Sequence, residues 1–118
     1  MTKIYVAGKG LDRARIVIDM LKQAGHVVTY DWVAEIGSGP SKEKAVAELE
    51  CVRLADVLVY LWETDQESAR YEAGMAMGLG KTIVVSGRSD AFFFQLPHVH
   101  CVDSDERIID KIHEINNQ

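Results

Sequence analysis

The sequence has few of the residues that cross-link or interrupt small folds, with two cysteines and two prolines in 118 residues. Cys51 and Cys101 lie far apart, which excludes the disulfide framework of small secreted domains, and we expect both to be reduced core residues. No apolar run approaches the roughly 18 to 20 residues of a membrane span, and the first residues form a strand pattern instead of a signal peptide. The composition predicts a cytoplasmic protein with no membrane partner.

Basic residues are also scarce, because 13 lysines and arginines face 18 aspartates and glutamates, for a formal net charge of -5. A basic surface is the usual footprint of proteins that bind nucleic-acid polymers, so we expect no such partner. Hydrophobic residues make up 47% of the chain, which is enough for one core. The sequence therefore predicts one domain over residues 1–118.

Short apolar runs alternate with stretches of helical periodicity, a pattern typical of βαβ units around a parallel sheet. The apolar runs predict five strands, at residues 3–7, 26–30, 56–61, 82–86 and 98–102. The periodic stretches predict four helices, at residues 12–24, 42–54, 69–79 and 104–115. We therefore predict an α/β fold with a five-stranded parallel sheet flanked by helices.

Helical spacing also predicts which side chains face the core and where the helices begin. The residues that we expect to face inward on the first two helices are Ile16, Met20, Leu21, Ala45, Leu49 and Val52. Ser41 and Ser104 occupy the positions of N-terminal caps. Gly25 and Gly80 follow the first and third helices, where a glycine commonly ends a helix.

The opening loop Gly8-Lys9-Gly10 follows the first strand and leads into the first helix. Ligands bind beyond the carboxyl ends of parallel strands, and the free N–H groups and dipole of a helix start favour an anion there. A phosphate or a sugar hydroxyl could bind in this loop. The alternative is a tight turn without a ligand, since the glycine spacing matches neither the dinucleotide fingerprint nor the P-loop.

Two glutamates are candidates for catalysis. Glu72 falls in the predicted first turn of the third helix, where the dipole would keep a carboxylate ionised as a nucleophile or base. Glu48 on the second helix could supply a protonated acid if the two carboxyl groups face each other across a pocket. The alternatives are a helix start stabilised by about 0.3 to 1 kcal/mol and a solvated helix face.

The connection over residues 87–97 and the strand that follows it hold further candidates. Phe92, Phe93 and Phe94 could wall a base-binding pocket or bury a partner subunit. His98 and His100 share one face of a strand while the next residue, a cysteine, points to the other. We predict no metal site here, because tetrahedral zinc needs more ligands than this segment offers.

Several segments together resemble one enzyme family. They are Lys-Ile-Tyr-Val-Ala-Gly over residues 3–8, Glu48 placed eight residues before Asp56, and Tyr-Glu-Ala-Gly-Met-Ala over residues 71–76. In order and spacing these resemble the nucleoside 2-deoxyribosyltransferase family, most closely its 2'-deoxynucleoside 5'-phosphate N-hydrolases. The resemblance implies a flavodoxin-like, doubly wound fold. It also implies cleavage or transfer of the N-glycosidic bond of a 2'-deoxynucleoside or its 5'-phosphate, with no cofactor.

The resemblance also implies roles for individual residues. Glu72 matches the nucleophile that attacks the anomeric carbon, and Glu48 stands where the family usually has an aspartate near the departing base or the sugar. Tyr5 matches a tyrosine that lines the sugar pocket, and Trp32 falls near a residue placed against the base. Eight residues are assigned to substrate binding, because they match the family's motifs or stand next to matched residues in the sequence. They are Tyr5, Gly8, Lys9, Gly10, Trp32, Asp56, Ser68 and Arg70.

The chain departs from the family pattern just before Glu72, where Ser68-Ala69-Arg70-Tyr71 replaces a glycine-containing loop. Gly8-Lys9-Gly10, with Arg13 and Arg70 nearby, favours a nucleotide carrying a 5'-phosphate over a nucleoside. The resemblance further implies a homo-oligomer in which a neighbour completes the pocket. The loop with the three phenylalanines and the third helix are the expected contact surfaces.

Two other functions remain open at this level. Arg70 and the missing glycines are compatible with a nucleotide-binding module that has no catalysis. By analogy of fold, the glutamate could instead act on another N-glycosidic ligand, such as a nicotinamide dinucleotide. The sequence also leaves open the base and the choice between hydrolysis and transfer.

Overall fold

The computed structural model describes residues 2–35 and 41–118. In these residues the chain forms a five-stranded, all-parallel sheet in the order β2-β1-β3-β4-β5. The strands are β1 Lys3–Ala7, β2 Val27–Val28, β3 Val57–Leu61, β4 Thr82–Ser86 and β5 Val99–Val102. This strand order is that of a flavodoxin-like fold, so the predicted fold class is confirmed.

Helices cover both faces of the sheet. They are α1 Leu11–Gln23, α2 Lys42–Leu54, α3 Ser68–Gly78 and α4 Ile108–Asn116. Apolar residues of α1 and α4 pack in one core cluster, and those of α2 and α3 pack in a second. Successive strand residues point to opposite faces, so in β1 Ile4 and Val6 belong to the first cluster while Tyr5 belongs to the second.

The strand order reverses between β1 and β3, since α1 leads from β1 to β2 on one side and β3 lies on the other. In open α/β sheets the ligand crevice forms at such a reversal, beyond the carboxyl ends of the two strands. The residues that follow β1 and β3 are therefore brought to one edge of the sheet.

The element boundaries differ from the predictions at several ends. Strand β2 has two residues instead of five, because the chain leaves the sheet after Thr29, whose N–H donates to the carbonyl of Ile4 at 2.8 Å. Helix α1 begins and ends one residue earlier than predicted, and so does α3. Residues 105–107 form a 3-10 turn that leads into α4. In the connection between β2 and α2, Trp32–Glu35 is also a 3-10 turn, and residues 36–40 lie outside the described part.

Some predicted core positions are wrong. Ile16 is 61% exposed, because the inward face of α1 is formed by Val17, Ile18 and their neighbours, with Leu21 as predicted. On α2 only Val52 is buried, whereas Ala45 is exposed and Leu49 is half-buried. The carboxyl-terminal end of α2 therefore packs on the sheet while its first turns lie farther out.

The ends of the helices confirm most of the predicted signals. The Ser41 hydroxyl accepts a hydrogen bond from the Lys44 N–H at 3.1 Å, as expected of a cap. The Ser104 side chain makes no such bond, because a 3-10 turn follows it. Gly80 takes a positive φ of 72° after α3, which lets the Lys81 N–H reach the carbonyl of Ala76 at 3.0 Å. Cysteines 51 and 101 are free, but half-buried instead of fully buried.

Candidate active site

A tyrosine and two glutamates meet between β1, α2 and α3. The hydroxyl of Tyr5, which is fully buried on β1, hydrogen-bonds the Oε2 of Glu72 on α3. The same hydroxyl lies 3.4 Å from the Oε1 of Glu48 on α2. The structure thus brings together three of the sequence-predicted site residues on the face of the sheet covered by α2 and α3. We call Tyr5, Glu48 and Glu72 the Tyr5 trio.

Burial changes the acid–base behaviour of the trio. Burial raises the pKa of Glu72 to about 7, the Tyr5 hydrogen bond opposes this, and the charge of Glu48 adds to it. The pKa of Tyr5 is raised far above its ordinary value, first by burial and then by the charge of Glu72. Tyr5 therefore keeps its proton at neutral pH and serves as a hydrogen-bond donor to the carboxylate.

The expectation that a helix dipole keeps Glu72 ionised is wrong in its physical cause. Helix α3 begins at Ser68, so Glu72 is its fifth residue, and no acidic residue lies in its first turn. The dipole acts mainly within the first turn. Burial beside Glu48 dominates instead, and Glu72 takes up a proton near neutral pH.

A polar cleft of about 720 Å³ opens at the start of α3, and its described lining residues include no member of the trio. Its walls come from the opening loop, at Gly8 and Lys9, and from the segment 65–71, which includes Ser68 and Arg70. Ser68 lies one helical turn before Glu72 on the same face of α3, so the cleft and the trio adjoin. Four more predicted site residues therefore either form or border this cleft. Lys9 also pairs with Asp65 at 3.3 Å across its mouth, between exposed side chains.

The start of α1 holds an internal anion that the sequence did not predict. A carboxylate oxygen of Glu63 accepts a hydrogen bond from the Gly10 N–H at 2.9 Å. A Cβ at Gly10 would lie 3.2 Å from the Glu63 Oε1, so the missing side chain lets the carboxylate approach closely. The predicted anion site at Gly10 exists, but Glu63 occupies it.

Gln66 fixes the loop that carries Glu63. This buried side chain donates to the Leu61 carbonyl at 2.7 Å and accepts from the Glu63 N–H at 3.0 Å. Both ends of its amide are thus used within the loop between β3 and α3. The only sequence signal would have been a glutamine in a short loop after a buried strand, which is not specific.

The Arg13 guanidinium is engaged by other groups of the protein. Its guanidinium forms two bonds of 2.8 Å to the carboxylate of Asp105 and also donates to the carbonyls of Trp62 and Ser86. These contacts lower the pKa of Asp105, chiefly through the hydrogen bonds from Arg13. Arg13 therefore ties α1 to the ends of β3 and β4 and to the start of the last helical segment.

Two further predicted site residues lie away from the trio. Asp56 precedes β3 at the amino end of the strand, where its Oδ2 accepts from the Lys3 N–H at 3.0 Å. It sits at the edge opposite the crevice and is no part of the proposed site. Trp32 donates to the Val6 carbonyl at 2.8 Å and packs against the α1 and α4 cluster, so a contact with a base remains a prediction.

On the other side of α3 lies a cleft of about 310 Å³, which we call the aromatic cleft. Its lining includes Tyr60, Trp62, Phe94, Arg70 and Arg88. Burial raises the pKa of Tyr60, and a hydrogen bond with Arg70 opposes that shift. Arg70 thus interacts with a tyrosine at the aromatic cleft, while it also borders the polar cleft.

Within residues 2–35 and 41–118, no group of three or more His, Cys, Asp or Glu side chains is arranged to hold a metal ion. No helix in the same residues is long and apolar enough to cross a bilayer.

Comparison of the sequence with protein-family models and with curated proteins finds no match. Solved structures do match in fold. The Clostridium botulinum CMP N-glycosidase BcmB superposes with a TM-score of 0.67 at 12% identity, over 95% of this chain and 98% of that one. A conserved protein from Enterococcus faecalis V583 superposes with a TM-score of 0.70 at 19% identity, over 98% and 99% of the two chains. At these identities the likeness establishes the shared fold.

Proposed function

We propose that the protein is an enzyme that cleaves the N-glycosidic bond of a nucleotide, with Glu72 as the nucleophile. The observation that carries this proposal is the contact of one buried tyrosine hydroxyl with two glutamate carboxyl groups, Glu72 and Glu48, beside a polar cleft. A solvated helix face would not place Glu72 against Tyr5 in the interior. Paired carboxyl groups at such a site are typical of glycoside hydrolysis through a covalent intermediate.

The proposed reaction has two steps. The ionised Glu72 attacks C1' of the sugar, the C1'–N bond breaks, and its electron pair leaves with the base, which takes a proton. Glu48, whose negative charge raises the pKa of Glu72, is the candidate group to pass that proton from water to the base. Water then attacks C1', loses a proton, and releases the sugar phosphate with the Glu72 carboxylate restored. If a second base takes the place of water, the same ester gives transfer.

Tyr5 positions the nucleophile in this reaction. Its hydroxyl retains its proton because of burial and the neighbouring carboxylates, so it donates to Glu72 in the resting site. That donation stabilises the ionised glutamate, which burial and Glu48 destabilise. The balance leaves Glu72 near its midpoint at neutral pH, where a useful fraction is ionised.

The polar cleft is the proposed place for the 5'-phosphate. Lys9 and Arg70 border it, and it opens at the start of α3, where Ser68 and the following N–H groups begin the helix. Two cations and a helix start favour a dianion, although Asp65 already pairs with Lys9. A nucleotide phosphate would have to displace Asp65, which is 98% exposed and free to move aside.

The fold comparison adds support without naming the substrate. The CMP N-glycosidase has a similar fold over nearly all of both chains. Its name points to a ribonucleotide, whereas the sequence resemblance points to 2'-deoxynucleotides, so the sugar is a question for experiment. We also propose a homo-oligomer, because Tyr71 and Met75 on α3 and Leu79 directly after it form a stripe of exposed apolar residues.

Incubation with a panel of nucleosides and 5'-monophosphates, in ribo and deoxy forms, tests the proposal directly. We expect chromatography to show free base from at least one monophosphate, and none with Glu72→Ala. Inclusion of the nicotinamide dinucleotide covers the other N-glycosidic substrate. Folded protein that releases no base, yet gains thermal stability with a nucleotide, would instead be a binding module.

A further inference from the structure

The aromatic cleft has the size and lining of a small-molecule site. Ligand pockets commonly start near 300 Å³ and combine apolar walls with a few polar groups, and this cleft measures about 310 Å³. Tyr60 and Phe94 pack edge to face in its wall, with ring centroids 6.2 Å apart. Phe92 and Phe93 at its rim are 82% and 61% exposed. Exposing two phenylalanine side chains to water at the mouth of a cavity is unfavourable in free energy unless a ligand or another surface covers them.

The charges at the cleft are positive. Arg70 and Arg88 both line it, and the Arg88 guanidinium lies 5.1 Å from the centroid of the Trp62 ring. No carboxylate is among its described lining residues. The acid that pairs with Arg88 is Asp90, at 2.7 Å, and its side chain is 81% exposed, so it reaches Arg88 from the solvent side. Two arginines beside aromatic walls favour a ligand that is both aromatic and anionic.

This cleft is separate from the Tyr5 trio. The residues of α3 that line it include Arg70, Gly74 and Met77. At about 100° per residue these lie on the side of α3 roughly opposite Glu72, which points to Tyr5. A sugar bound at Glu72 and a ring bound in the aromatic cleft would therefore flank the helix on different sides. Arg70 is the residue that borders both clefts.

We propose that the aromatic cleft is a second binding site, for a small molecule with a planar aromatic ring and an attached phosphate or similar anionic group. The ring packs among Trp62, Phe92 and Phe93, and the anionic group pairs with Arg88 and Arg70. Binding covers the exposed phenylalanines and neutralises two cations. This site goes beyond the proposed N-glycosidase activity, because its ligand needs no N-glycosidic bond and lies away from Glu72.

Calorimetric titration with phenyl phosphate tests the proposal, with phenol and inorganic phosphate as controls for the two halves of the ligand. We expect phenyl phosphate to bind at least tenfold more tightly than either half. Arg88→Gln and Phe93→Ala should each weaken it about tenfold or more, whereas Lys9→Gln at the polar cleft should leave it within twofold. All three side chains are exposed, so far-UV circular dichroism should show unchanged folding.

Three results would overturn the second site. One is the absence of phenyl phosphate binding by folded protein. Another is weakening by Lys9→Gln but not by Arg88→Gln, which would put the ligand in the polar cleft. The last is an oligomer, seen by sedimentation, that Phe93→Ala dissociates, which would make the cleft an interface between copies. Because phenyl phosphate cannot be cleaved at an N-glycosidic bond, the base-release assay separately decides the proposed function.

Discussion

The two faces of the sheet are formed by the same strands but carry different kinds of side chain. On the face covered by α1 and α4, the buried strand and helix residues are aliphatic, as with Ile4, Val59 and Ile112. On the face covered by α2 and α3, a fully buried tyrosine sits against two carboxyl groups, and the buried residues of α3 are alanines. Because side chains alternate along β1, residues that stabilise the fold lie on one face of the sheet and the proposed catalytic residues lie on the other. Substitutions on the first face should change stability alone, and those on the second should change chemistry and its pH dependence.

The largest expected effect comes from the nucleophile. Glu72→Gln should reduce kcat for base release by at least about 10³-fold, or about 4 kcal/mol in the barrier, because the amide cannot form the glycosyl ester. Steady-state kinetics on the best substrate of the panel measures it. Glu50→Gln, an exposed glutamate on α2 paired with Arg53, is the matched control and should retain full activity. Retention of more than a tenth of the activity by Glu72→Gln would rule out this nucleophile.

The next effect belongs to the aliphatic face. Ile112→Ala should lower the free energy of unfolding by about 2 to 5 kcal/mol, because Ile112 is fully buried and leaves a cavity. Urea denaturation measures the loss, which should be equal at pH 5 and pH 8.5. The control is Ile16→Ala, at a largely exposed position, which should cost no more than about 0.5 kcal/mol. Equal losses in the two variants would contradict the observed orientation of α1.

Glu72→Gln should raise the free energy of unfolding by a comparable amount, and this gain should depend on pH. Burial raises the pKa of Glu72 from 4.5 to about 7. Such a carboxyl makes its full contribution to stability below its unfolded pKa of 4.5, and this contribution is lost as the pH rises from there through the folded pKa of about 7. At about 1.4 kcal/mol per pKa unit, ionised Glu72 costs about 3 kcal/mol above pH 7. The glutamine variant should therefore be more stable than the parent at pH 8.5 but equally stable near pH 4. A gain independent of pH would point away from ionisation.

The smallest effects should be shifts in the pH profile of kcat/KM. The acid limb should lie near pH 7, since the proposed nucleophile must be ionised. Glu48→Gln should move this limb to lower pH, because it removes a negative charge that raises the pKa of Glu72. Tyr5→Phe should move it to higher pH, because it removes a hydrogen bond that stabilises the carboxylate. Shifts of the same sign in both variants would contradict this electrostatic account.

The parts of the molecule that follow periodic patterns could be predicted from the sequence. Strands β1 and β4 and helix α2 have the predicted bounds, because apolar runs and a serine cap are local signals. The resemblance assigned Tyr5 and Glu72 to one sugar site, but their hydrogen bond was not predicted, since the two residues lie 67 positions apart and no local pattern joins them. Their partner Glu48 comes from a third element, α2.

The features that the sequence did not predict depend mostly on contacts between distant segments of the chain. Arg13 looked like a phosphate ligand beside a glycine loop, but Asp105, 92 positions later, engages it. No sequence pattern singled out Glu63, yet its carboxylate accepts a hydrogen bond from the Gly10 N–H. Asp56 was assigned from the resemblance, but it lies at the amino end of β3, opposite the crevice, as its place at the start of the predicted strand 56–61 already indicated.

The carboxylate of Glu63 behaves towards the start of α1 as a tethered ligand. A group held within the same chain competes at an effective concentration that is typically on the order of millimolar for a short tether. A free phosphate would therefore have to displace a carboxylate that cannot diffuse away from the Gly10 N–H. Discrimination between a nucleoside and its 5'-phosphate therefore falls to the groups that line the polar cleft, Lys9, Ser68 and Arg70.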